Sequence, residues 1–122
     1  MQLTICQFWH MLNYMSKNVF RDLGFSEEEV AGLKLKSYLF MALQEAIRYS
    51  PMTQKEIAET IGADQPKVSK ILGGKFNEFS IERITEYTQK LGYDIHISTT
   101  PTPKSRHVGT VIMDKRALVK AG

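Results

Sequence analysis

Residues 53–75, TQKEIAETIGADQPKVSKILGGK, carry the tightest set of conformational instructions in this chain. Thr53 can accept a hydrogen bond at a helix N-terminus, and Glu56 can reach back to the Thr53 amide. Met52 and Ile57 stand at the positions of a hydrophobic staple. Ala58 leaves room for a second helix to cross closely, and Gly62 supplies the positive φ that a sharp helix-to-helix turn demands. Asp64 then caps a second helix, in whose first turn Pro66 is tolerated because amides there lack a helical acceptor. Val68, Ile71 and Leu72 form its inner stripe, and Gly73-Gly74 end it. The spacing therefore predicts two short helices joined by a tight turn.

What this packing leaves outside is Gln65, Lys67, Ser69 and Lys70. One amide side chain and two ammonium groups near the start of a helix can meet base edges and phosphates in a major groove, so these four are the candidate base-reading residues. The layout is that of a helix-turn-helix DNA reader. The bland alternative is an antiparallel helix pair whose glycine and caps serve packing alone. The joint occurrence of the Gln-x-x-x-Ala-x-x-x-Gly core, the apolar spacing after it and the basic outer face favours the reader.

Gln54, Ala58, Gly62, Gln65, Val68, Ile71 and Gly74-Lys75 match the motif of the Xre-like helix-turn-helix family, similar in fold to the phage lambda and 434 repressors. The flanks extend the likeness. Asn18–Phe25, a short acidic stretch, a long amphipathic helix, the motif, Phe79-Ser80 and the run Leu91-Gly-Tyr-Asp-Ile95 resemble the HigA-type antitoxins over residues 18–99. The resemblance implies a mainly α, lambda-repressor-like bundle of about five helices with a C-terminal β-strand. It implies an operator-binding repressor that also neutralises a small ribonuclease-type toxin and controls the operon encoding both. Gln54, Lys55, Lys75 and Asn77 are then the candidate phosphate-binding residues, the last two because the loop after the reading helix approaches the backbone in repressor-like domains. Alternatives of other kinds are a stand-alone Xre-type repressor without a toxin, and a protein-interaction module that has lost DNA binding.

Upstream, Ser26 with Glu29 reads as a capping box, with Phe25 and Val30 as its staple, and starts a short helix. Farther on, Leu35, Leu39, Ala42, Leu43, Ala46 and Ile47 recur on one face of a long helix that Pro51 stops. The lysines at 34 and 36 read as a solvated helix face. After the motif, Phe76 and Phe79 read as core or interface. Ser80 opens a helix carrying Ile81, Ile84, Thr88 and Leu91, stapled by Phe79 and Ile84 and ended by Gly92.

Residues 93–99, YDIHIST, alternate apolar and polar and predict a strand. A lone strand on a helical domain needs a ladder partner, either the same strand of a second subunit or a returning strand over residues 108–113. Pairing across a twofold is preferred, with Tyr93, Ile95 and Ile97 as dimerisation residues. Such a homodimer would set two reading helices about 34 Å apart, on successive major grooves. Residues 99–106 read as a linker, and Lys115, Arg116 and Lys120 make the tail basic.

The expected organisation is an N-terminal extension over 1–17, a DNA-binding domain over 18–92 and a strand with a basic tail over 93–122. A length of 122 residues suits one modest core, and a formal charge of +3 suits an anionic partner if the lysines share a face. The aromatic-rich segment 1–14 is too short and interrupted for a membrane span, so it is expected to dock on the core; Met11 and Met15 are alternative starts. The single cysteine, Cys6, forms no internal disulfide and fits a reducing cytoplasm. His10, His96 and His107 lie in separate segments without metal-ligand spacing, and no nucleophile stands beside a recognisable base. No catalytic residue, metal or cofactor is therefore expected.

Overall fold

The computed structural model describes residue 24 and residues 26–113. Among these residues the regular elements are four α-helices and one 3₁₀ turn: α1 (Glu27–Tyr49), α2 (Gln54–Ile61), α3 (Gln65–Leu72), the 3₁₀ turn Phe76–Glu78, and α4 (Ile81–Lys90). The N-terminal extension and the basic tail residues 114–122 lie outside the described residues.

Each helix begins where a side-chain oxygen takes an amide hydrogen bond. Ser26, Thr53, Asp64 and Ser80 accept from the amides of Glu29, Glu56, Lys67 and Arg83. A cap of this kind stabilises a helix by about 1 kcal/mol, and it fixes the entry point of the chain. The box at Ser26 is reciprocal, with the Ser26 amide donating to the Glu29 carboxylate at 3.2 Å. At Thr53 only the hydroxyl half forms, at 3.2 Å.

The short helix opening at Ser26 and the long helix ending before Pro51 are one continuous helix, α1, and this reduces the expected five to four among the described residues. Gly32 lies in the second turn, where it costs about 1 kcal/mol relative to Ala but removes no hydrogen bond, so it does not break the helix. Leu35, expected on the inner face, is 39% exposed; the buried band begins at Tyr38.

The core joins all four helices. Phe40, Leu43 and Ile47 of α1 meet Ile57, Ala58 and Ile61 of α2, Val68 and Ile71 of α3, and Ile84 and Tyr87 of α4, with Phe79 between. Helix α1 packs chiefly on α4, while α2 packs chiefly on α3. Aromatic rings close the seam where the 3₁₀ turn crosses α1: Phe40 lies 6.3 Å from Phe76 and 6.0 Å from Phe79. Phe79 meets Tyr87 edge-on at 6.3 Å. Tyr38 and Met41 are buried outside this cluster, and burial pushes the Tyr38 hydroxyl above its ordinary pKa.

No β-strand forms among the described residues, contrary to the expectation for the C-terminal segment. The Tyr93 amide donates to the Thr88 carbonyl at 3.3 Å, completing the exit from α4. Beyond it, no backbone hydrogen bond among the described residues pairs residues 94–102 with a ladder partner. A strand is defined by its ladder, and the described residues present none here. The chain does turn back: the Arg106 amide donates to the Pro103 carbonyl at 3.0 Å, and a Cβ at Gly109 would stand 3.1 Å from Thr102 Oγ1. The outline is that of a hairpin without its hydrogen bonds.

Candidate nucleic-acid interface

The geometry of α3 is set at both ends. At its start, Asp64 Oδ1 accepts from the Lys67 amide at 2.9 Å, and Pro66 occupies the first turn without cost. At its end, Gly73 stays helical and Gly74 takes φ +82°, letting the Lys75 amide reach the Lys70 carbonyl at 3.1 Å. The second glycine, not the first, makes the turn. Beneath the helix, Val68 and Ile71 are fully buried, so rotation of α3 about its own axis would expose them.

Two long-range polar contacts strengthen this placement. Gln44 of α1 donates from Nε2 to the Ile71 carbonyl at 2.8 Å, satisfying an acceptor in the last turn of α3. Lys90 of α4 brings Nζ to 3.5 Å from the Ile61 carbonyl, where a cation suits the negative end of α2. The turn between α2 and α3 rests on Gly62 at φ +74°, whose amide donates to the carbonyls of Ala58 and Glu59.

With the apolar face sealed, Gln65, Lys67, Ser69 and Lys70 are all exposed. All four lie outside the buried stripe of Val68 and Ile71. Ser69 Oγ lies 3.5 Å from Gln54 Oε1, so the start of α2 adjoins the middle of α3. Gln54, Lys55, Lys75 and Asn77 are exposed as well: the first two in the opening turn of α2, the others in the loop that follows α3. Helix α3 itself contains no acidic residue, and the Asp64 carboxylate is occupied as its cap. Amide, hydroxyl and ammonium groups thus stand exposed on α3 and on the turns flanking it, where they can donate to phosphate oxygens and to guanine or adenine acceptors.

Two features of this surface are invisible in the sequence pattern. Lys70 Nζ lies 3.5 Å from Glu78 Oε1, so one carboxylate borders the basic flank. Lys36 of α1, read as merely solvated, places its ammonium 5.9 Å from the centre of the Phe76 ring, a cation–π arrangement that adds a cation beside the loop carrying Lys75 and Asn77. Both depend on chain crossings that no local spacing encodes. Phe76 is half-buried against the core and Phe79 is buried within it, as expected for packing residues.

The dimerisation candidates stand apart from this surface in character. Tyr93 and Ile95 are half-buried, whereas Ile97 is 84% exposed. Among the described residues no group of His, Cys, Asp and Glu is placed to hold a metal ion, and no helix is long and apolar enough to cross a membrane.

A family model described as a helix-turn-helix domain matches residues 19–100. No curated protein and no solved structure matches the chain. The match takes in the capped pair α2–α3, the bracing helices α1 and α4, and residues 93–100 of the exit segment. This chain belongs to the DNA-binding helix-turn-helix domain family.

Proposed function

We propose that this protein is a dimeric, non-catalytic transcriptional repressor acting as the antitoxin of a type II toxin–antitoxin pair: it silences a small ribonuclease-type toxin and represses the operon encoding both. The observation that carries the DNA-binding half is the exposed flank of Gln65, Lys67, Ser69 and Lys70 on a helix whose opposite face is sealed. In this reading those four residues read bases, while Gln54, Lys55, Lys75 and Asn77 hold phosphates. The contacts to phosphate set register and the contacts to base edges set sequence.

The antitoxin half is supported by the likeness of residues 18–99 to HigA-type antitoxins. Exposed Ile97, Val108 and Ile112 leave apolar surface for a second polypeptide. Dimerisation follows from pairing of residues 93–99 across a twofold, which would supply the ladder that is missing among the described residues. No cofactor enters this scheme, and the setting is the cytoplasm.

The test is co-purification with the product of the adjacent reading frame, followed by footprinting of the upstream region. The expected result is a complex with an inhibited ribonuclease and protection of a palindromic site. Protection without any such partner would indicate a stand-alone repressor. A partner without protection would indicate an interaction module that does not read DNA.

A further inference from the structure

Glu78 is the unexpected member of the basic surface. A carboxylate facing a polyanion is repelled, so an acidic side chain beside a reading helix calls for a compensating contact. Its oxygen stands 3.5 Å from Lys70 Nζ, and the two side chains are each about half exposed, at 47% and 48%. The 3₁₀ turn Phe76–Glu78 is not loose: the Phe79 amide donates to the Phe76 carbonyl at 3.3 Å, and Phe79 is buried. Glu78 is therefore carried on an anchored turn, with its carboxylate beside the ammonium on the outer edge.

We infer that Lys70 and Glu78 act together as one reading unit for a G·C base pair; the inference rests on α3 being the reading helix. In the major groove, guanine offers O6 and N7 as acceptors and cytosine offers the N4 amino group as a donor. Guanine O6 and cytosine N4 are themselves joined by a base-pairing hydrogen bond, which sets them about 2.9 Å apart. An ammonium and a carboxylate 3.5 Å apart present the complementary donor and acceptor at nearly that spacing. Lys70 then donates to O6 and N7, and Glu78 accepts from N4. An A·T pair fits this unit poorly, because its acceptors alternate with a donor and the ammonium meets no two adjacent acceptors. Glu78 is thus a specificity residue that the helix pattern of α3 does not contain.

The experiment combines protein and DNA changes. The full-length protein and its Glu78→Ala and Glu78→Gln variants are titrated, at one salt concentration, with the footprinted operator. A second operator carries N4-methylcytosine at the G·C pair nearest the second turn of α3; the methyl group removes the groove-facing N4 donor and leaves the base pair. Wild-type protein is expected to discriminate against the methylated site roughly 10-fold, and Glu78→Ala to bind both sites alike. Glu78→Gln, which keeps an acceptor oxygen, is expected to retain part of the discrimination. Glu78 is exposed, and matching thermal melts of the three proteins establish that folding is unchanged. The inference is overturned if Glu78→Ala discriminates as wild type does, or if it tightens on every sequence equally, which would make the carboxylate a repulsive bystander. A wild-type protein that protects no DNA would instead overturn the assignment of α3 as the reading helix, and this inference with it.

Discussion

The helical bundle of residues 27–92 and the segment of residues 93–113 obey different rules. In the bundle every helix starts on a side-chain cap, and the inward faces of all four meet in one cluster. In the segment, one turn hydrogen bond between Arg106 and Pro103 stands against a backbone otherwise without ladder partners among the described residues. Ile97 and Ile112 are 84% and 72% exposed, where Leu43, Val68 and Ile84 are fully buried. The bundle satisfies its own polar and apolar groups. Among the described residues, the segment has strand-like composition but no ladder neighbour to complete it. Local chemistry suffices where caps and helical spacing define the element; for a strand, alternation of residues states a need for a ladder partner and leaves its identity open.

The sharpest way to break this comparison is to remove matched side chains from each region. Leu43→Ala is expected to cost about 2–5 kcal/mol in urea unfolding, because it leaves a cavity in the shared core. Measured at protein dilutions where the chain is monomeric, Ile97→Ala is expected to change stability by less than about 0.5 kcal/mol. Equal losses would mean that the segment belongs to the bundle's cooperative unit.

A smaller loss is expected at the turn. Gly62→Ala places a Cβ at φ +74°, 3.3 Å from Lys90 Nζ, and is expected to cost about 1–2 kcal/mol by the same measurement. The lysine end can swing aside, so the backbone conformation supplies most of the penalty. An unchanged midpoint would contradict the role given to Gly62.

For the segment, Ile95→Lys is expected to shift sedimentation toward the monomer while leaving the thermal melt of the bundle nearly unchanged. Unaltered self-association would remove strand pairing from the account. The smallest effect concerns acid. Lys90, donating to Glu86 at 2.9 Å, holds the Glu86 carboxyl below its ordinary value of 4.5. That contribution is therefore present above pH 4.5 and is lost as pH falls through the lowered folded-state value. Since Glu86 is solvent-accessible, Glu86→Gln should flatten the acid limb only slightly in a pH series of melts.

Much of the bundle was legible because its signals are local. Ser26, Thr53, Asp64 and Ser80 cap where a hydroxyl or carboxylate precedes a helical pattern, and Gly62 takes the φ that the turn requires. The outward set Gln65, Lys67, Ser69 and Lys70 follows from the inward set by helical geometry. The boundary within α1 was misread because the capping box at Ser26 and the apolar face from Leu35 onward look like separate signals, whereas the backbone runs through both as one helix. Gln44 on Ile71, Lys90 on Ile61 and Lys36 over Phe76 could not be read, since each joins segments 27 or more residues apart. The pairing of Glu78 with Lys70 spans only eight residues, yet it depends on how the 3₁₀ turn folds back beside α3.

The central claim, that the outer flank of α3 reads bases, is tested most directly by the affinity of Gln65→Ala for the operator and for random duplex at one salt concentration. The account predicts a loss of about 1–3 kcal/mol on the operator, with relaxed preference at one base step and little change on random DNA. Equal weakening on both duplexes, or no weakening on either, would contradict it.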